Sequence, residues 1–183
     1  MRGDPRFGLF AIFLFSLSAC LTSDGLLFTA DNARALALAA GAYDACEAAE
    51  DSERECHGVT VSHNERGLFR LVPEAPEDKG DAVLVRFKKI GRAAWAVQAW
   101  GEEGDAPNYL LATGSPNRLT ISLIDCEELP AAFKKKLEAR GDLEIRNQST
   151  CVAKSAGAAV AAAKAWRKTA ASKQDVVVYT KRG

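Results

Sequence analysis

The chain is predicted to be an α+β, mainly β domain: an antiparallel meander curled into a barrel-like or half-barrel sheet, followed by an Ala-rich C-terminal helix and a final strand. Three observations predict it. Between residues 56 and 125 apolar residues alternate with polar ones in short runs separated by turn signals. The connections between these runs are short, which forces antiparallel pairing, because parallel neighbours need long crossovers. Beyond residue 155 the apolar period changes to that of a helix.

The chain opens on residues of another kind. Arg2 and Arg6 precede an apolar run from Phe7 to Leu17, interrupted weakly by Gly8 and Ser16, and small Ser18 and Ala19 lead to Cys20. A basic segment, an apolar core and small residues before a cleavage point make an export signal. Its core is too short to span a bilayer, which takes roughly 20 apolar residues; four phenylalanines supply the hydrophobicity that length does not. Leu17-Ser18-Ala19-Cys20 resembles the lipobox of bacterial lipoproteins, a resemblance confined to residues 1–20. It implies diacylation of Cys20 on sulfur, cleavage just before it and acylation of the new amino group. Several acyl chains, at about 0.8 kcal/mol per buried methylene, would hold the product on a membrane. Leu21 after the lipidated Cys is compatible with outer-membrane sorting in enteric-type bacteria. The expected organisation is a signal peptide over 1–19, a lipidated tether over 20–30 and a single β-rich domain over 31–183, in the bacterial cell envelope, outer-membrane anchored with the domain in the periplasm. The 164 residues from Cys20 onward suffice for one core and not for two.

Formal net charge is zero for the whole chain, so no general attraction to nucleic acid is implied. The charge is uneven: residues 126–183 carry 12 basic and 6 acidic side chains, residues 20–125 carry 10 and 17. Either the halves neutralise each other on folding or a basic face touches anionic envelope material. Besides Cys20 there are four cysteines, an even number that reads as disulfides outside the cytoplasm. Of three pairings, Cys46 with Cys56 and Cys126 with Cys151 close the shorter loops. His57 beside Cys56, with His63 following, invites a zinc reading, but an oxidised Cys cannot ligate and the two His lack helical i, i+4 spacing. No metal and no cofactor are expected. Glu53 stands where a haem attachment motif needs its first Cys.

The elements follow in order. Residues 21–29 have little charge and no period and read as the tether. Asp31 or Thr29 would cap a helix over 33–40, stopped by Gly41. Asp44 to Glu55 is the most acidic stretch and lacks the ligand spacing of a calcium loop; it reads as a solvated loop tied off by Cys46 and Cys56. Strands are then expected at Val59–Val61, Leu68–Val72, Val83–Phe87, Ala93–Trp100, Tyr109–Thr113 and Leu119–Leu123, with turns at Asn64–Gly67, Lys89–Arg92 and Gly114–Asn117. Pro130 opens a helix carrying Phe133 and Leu137 one turn apart, with Gly141 as its stop. Leu143 and Ile145 suggest a further strand. Ser155 caps a helix through Ala171 with Ala159, Ala163 and Trp166 as its stripe, and Val176 to Thr180 make the last strand.

No catalytic constellation emerges. The chain lacks a G-x-S-x-G elbow, an H-E-x-x-H pair, a phosphate loop and a dinucleotide fingerprint, and the expectation is a non-enzyme. What remains is aromatic placement. Trp95 and Trp100, five residues apart on one strand, occupy opposite faces; one is expected inside, the other as a contact surface or under the last helix near Trp166. Trp95, Trp100 and Tyr109 are the candidate ligand-binding residues.

Two readings of different class result. Gly41-Ala42-Tyr43, followed by a meander, a late helix and a final strand, is similar to the plan of lipocalin and calycin barrels, in which Gly-x-Trp opens the first strand. That resemblance implies a carrier, with Val83, Val85, Trp95, Val97, Tyr109, Leu111, Ile121 and Leu123 lining an apolar pocket for a small apolar ligand. The other reading, preferred on sequence, is a membrane-anchored, non-enzymatic interaction or assembly module with an envelope protein partner. Periplasmic lysozyme inhibitors resemble the chain in general plan, although their Ser-Gly and Tyr signature is not present. The whole pattern resembles uncharacterised proteobacterial envelope lipoproteins, a likeness that implies no activity.

Overall fold

The computed structural model describes residues 20–47, 56–74, 82–102, 105–169, 172 and 176–183. The signal and lipobox residues before Cys20, most of the acidic stretch, Glu103 and the expected helix end at Ala171 lie outside the described residues.

Eight strands close into an antiparallel barrel. These are β2 (Gly41–Glu47), β3 (Cys56–His63), β4 (Leu68–Pro73), β5 (Val83–Gly91), β6 (Ala94–Gly101), β7 (Asn108–Ser115), β8 (Arg118–Leu123) and β11 (Val176–Lys181). From β2 to β8 each strand pairs with the next, and β11 closes the ring between β8 and β2, with Tyr179 opposite Leu119 on one side and Ala45 on the other. Closure leaves no barrel strand with an unpaired edge to aggregate. The six strands expected between residues 56 and 125 are all present. The turn expected at Lys89–Arg92 lies two residues later, because β5 continues through a bulge to Gly91 and the chain reverses at Arg92 and Ala93, the latter at φ 49°.

Between β8 and β11 the chain leaves the barrel for α1 (Ala131–Glu138), β9 (Leu143–Ile145), β10 (Cys151–Ala153) and α2 (Ala156–Trp166). Pro130 sits one residue before α1, with its ψ still extended at 129°. Ser155 caps α2, its hydroxyl accepting from the Ala158 amide at 3.1 Å. The expected stripe of Ala159, Ala163 and Trp166 is buried. It packs on the outside of the barrel against Ala96, Tyr109 and Leu111, in a second apolar cluster distinct from the interior.

Two expectations at the N-terminus are corrected. Residues 20–30 do not hang free as a tether: Leu21–Thr22 form β1, parallel to β10 and touching β7 at Asn108, and Leu21 and Phe28 are fully buried. No helix forms over 33–40. There the Ala35 amide donates to the Phe87 carbonyl and the Ala39 amide to that of Pro116, while Ala37 and Leu38 are buried and Leu36 is exposed. Bonds and burial supplied by the barrel outweigh the helix propensity of the alanines, a difference of tenths of a kcal/mol per residue.

Both disulfides pair as the short loops favoured. Cys46 and Cys56 are directly opposite each other on β2 and β3, and Cys126–Cys151 ties the start of the excursion to β10.

Candidate functional site

The two ends of the barrel differ. At one end lie the short turns after β3, β5 and β7, and the chain over 33–40 crosses beneath them. Ala37, Leu38, Tyr43, Phe69 and Phe87 are buried in the interior cluster, with Phe69 and Phe87 edge to face at 5.0 Å. The Tyr43 hydroxyl lies 2.8 Å from the carbonyls of both Ala39 and Pro116, fastening this base to the wall. Burial pushes the Tyr43 phenol up.

Toward the other end the interior is lined by smaller side chains. Val59, Leu71, Val85, Val97, Ala99 and Leu110 surround a cavity that, among the described residues, opens where β2, β4, β6 and β8 end. The centre of a water-sized sphere has about 60 Å³ in which to move, several times the ~10–15 Å³ one water needs. Among the described residues no charged side chain lines it. Among the described lining residues the one side-chain hydroxyl belongs to Tyr179, which is 6% exposed and has no hydrogen-bond partner among the described residues. Desolvation alone pushes this phenol up to about 12.

Of the residues expected to line a pocket, Val83, Val85, Val97 and Ile121 do so, and Leu123 packs against the same interior. Tyr109 and Leu111 do not; they face outward, and Leu110 points in. Both faces of β7 are buried, one in the barrel and one under the external cluster, so alternation cannot tell inside from outside. None of the three aromatic candidates lines the cavity. Trp95 is in the barrel interior but outside the lining. Trp100 is half-buried on the outer face, and the cluster that holds Trp166 does not include it.

Tyr109 serves a different structure. Its hydroxyl donates to Oε1 of fully buried Gln98 at 2.9 Å, and that oxygen also accepts from the amides of Leu27 (2.8 Å) and Phe28 (2.9 Å). Ser23 Oγ lies 2.9 Å from the same hydroxyl. These bonds clasp the N-terminal segment to the barrel wall. Burial pushes the Tyr109 phenol up to about 12, against the lowering effects of Ser23 and the Leu27 backbone. Alternation places Gln98 on the outer face; nothing in the sequence marks it as an anchor for two backbone amides.

Cys20 is at the mouth end. Thr22 pairs with Asn108, the first residue of β7, and Cys20 bridges Asp125 just past β8. It is 3% exposed and its carbonyl accepts from the Cys151 amide. Among the described residues no group of His, Cys, Asp and Glu is arranged to hold a metal ion, and no helix is long and apolar enough to cross a membrane.

These features define a class by structure: a closed eight-stranded antiparallel barrel, sealed at one end and apolar within, with a helix packed on its wall. Comparison of the chain with protein-family models, curated proteins and solved structures finds no match.

Proposed function

We propose that the protein is a non-enzymatic carrier that takes a small apolar ligand into the open end of its barrel, anchored in the bacterial envelope through an acylated Cys20. The observation that carries the binding reading is the cavity. Eight-stranded barrels have interiors just wide enough for side chains to fill or to hold one small ligand, and here the side chains leave a space in which the centre of a water-sized sphere has about 60 Å³ to move. An uncharged, nearly polar-free lining favours apolar solutes and costs any ion its hydration. The carrier therefore has a specific structural feature behind it, whereas no described feature singles out a surface for the interaction-module reading, and Trp100, the candidate contact residue, is half-buried.

The anchor rests on the lipobox-like residues 17–20 and the apolar run before them. Cys20 is held beside the barrel by its backbone bridge to Asp125 and lies next to β10, which the Cys126–Cys151 disulfide ties down. Because Cys20 is at the mouth end, the anchor would keep the opening close to the bilayer.

The test uses residues 20–183, which contain every described element, with Cys20→Ser, exported behind a non-lipoprotein signal and purified without detergent. Titration with the neutral fluorescent probe N-phenyl-1-naphthylamine should saturate at one site. Ala99→Phe, placing a ring in the cavity, should abolish the signal while the fold persists by circular dichroism. Binding that survives Ala99→Phe, or no binding to the parent, refutes the carrier. Anchoring is read separately: the native chain expressed in a bacterium should carry acyl mass on its N-terminal peptide, and Cys20→Ser should remove it.

A further inference from the structure

Resting on the carrier reading, we infer that the ligand is a neutral, largely hydrocarbon molecule carrying one hydrogen-bond acceptor oxygen, a ketone or ester for example, which accepts from the Tyr179 hydroxyl inside the cavity. Tyr179 is more than nine-tenths buried, lines the cavity and lacks a hydrogen-bond partner among the described residues. The other two tyrosines differ: Tyr43 reaches the carbonyls of Ala39 and Pro116, and Tyr109 reaches Gln98 and Ser23. Buried hydroxyls are nearly always satisfied, and one that is not asks for a partner the chain does not supply. A single isolated water is a poor candidate, because a buried water needs about three polar partners and among the described residues the lining offers this one side-chain hydroxyl.

The chemistry of the ligand follows from the rest of the lining. Its apolar side chains match a hydrocarbon body. Among the described residues no lysine, arginine or histidine lines the cavity, so a carboxylate placed at Tyr179 would be a buried charge without a counterion from them. An uncharged acceptor incurs no such cost. A pure hydrocarbon would fill the space but leave the hydroxyl unsatisfied.

The experiment compares 2-undecanone with undecane as displacers of N-phenyl-1-naphthylamine, on the Cys20→Ser protein and on the same protein with Tyr179→Phe. The ratio of ketone to alkane affinity cancels partitioning from water, which is common to both proteins. It should fall by about tenfold in Tyr179→Phe, the value of one hydrogen bond in a site with no substitute partner, while undecane displaces equally well from both. Ligand-free Tyr179→Phe should be at least as heat-stable as its parent, since no protein hydrogen bond is lost. An unchanged ratio overturns the assignment and leaves the carrier standing; so does a clear loss of stability in the ligand-free variant, which would reveal a protein partner for the hydroxyl. If neither protein binds the probe, the carrier itself falls, and this inference with it.

Discussion

Replacing Gln98 with methionine keeps the length and approximate shape of the side chain and removes its acceptor and donor. Three donors then lose their partner at once: the amides of Leu27 and Phe28 and the Tyr109 hydroxyl, now held at 2.8, 2.9 and 2.9 Å from Gln98 Oε1. The bond from Gln98 Nε2 to the Phe28 carbonyl at 3.3 Å is lost as well, so at about 1 kcal/mol net per bond the loss is about 4 kcal/mol, and more if the freed groups stay dry. Gln98 and Phe28 are both fully buried, which favours the larger loss unless the segment detaches. In a domain of this size each kcal/mol moves the melting temperature by about 2–4 °C, so Gln98→Met should melt roughly 8 °C or more below the parent. Urea denaturation with the disulfides intact gives the free energy, and hydrogen exchange locates it: the Leu27 and Phe28 amides should lose protection before those of β3 and β8. A loss below about 1 kcal/mol, or unchanged protection at Phe28, would refute the clasp.

The protein has three tyrosines, and burial raises the phenol of each, those of Tyr109 and Tyr179 to about 12. A raised folded-state pKa gives stability that is complete below the unfolded value of 10 and is lost as pH climbs through the folded value. The Tyr109 and Tyr179 phenols should therefore stay un-ionised at pH 10 in the folded protein and ionise together with unfolding at about pH 11–12; gradual ionisation of all three tyrosines from pH 10 would show solvated phenols. Asp24 and Glu144 are held below the usual carboxylate range, in each case first by a hydrogen bond from Lys154 and then by one from Arg146. Their stabilising effect should be present above about pH 4–5 and fade as pH falls through the lowered values. Carboxyl chemical shifts should report both depressed titrations, and Lys154→Met should return them toward normal. In the chain-entropy model, opening Cys126–Cys151, with a sequence separation of 25, costs about 3.5 kcal/mol, and opening Cys46–Cys56, with a separation of 10, costs about 3 kcal/mol. Urea curves of the paired Cys→Ser variants test that order, which would fail if the shorter loop proved the costlier to open.

What was legible in the sequence was whatever one strand or helix declares by itself. Val83, Val85 and Phe87 alternate with Arg86 and Lys88 because β5 has one face in the interior and the other exposed to charge, so its orientation could be read directly. On β7 the residues Tyr109, Leu110, Leu111 and Ala112 are all buried, and the correct inward set depended on knowing that the chain before β2 and the helix after β10 both cover that wall. The segment over 33–40 misled for a related reason. Its alanines have helix propensity, yet their partners, the carbonyls of Phe87 and Pro116, are far away in sequence. Alternation puts Tyr179 on one face of the last strand, but its lack of a hydrogen-bond partner among the described residues is a property of the assembled barrel and of no local pattern.

The distribution of volume inside the barrel is the strongest argument that its space is functional. Side-chain packing normally leaves few voids larger than a water, and this chain meets that standard at one end, where Tyr43, Phe69, Phe87, Ala37 and Leu38 close the interior. The same strands carry Val59, Leu71, Val85, Val97 and Ala99 in the lining of the cavity. A fold selected for stability alone would gain from larger residues there, since unfilled volume costs about 24 cal/mol per Å³ in mutational series. If the space is a defect, Ala99→Leu and Val97→Leu should each raise the melting temperature without affecting any ligand. If it is a site, the same substitutions should raise stability in the empty protein and weaken probe binding together, the trade expected where a binding function holds a core below its packing optimum.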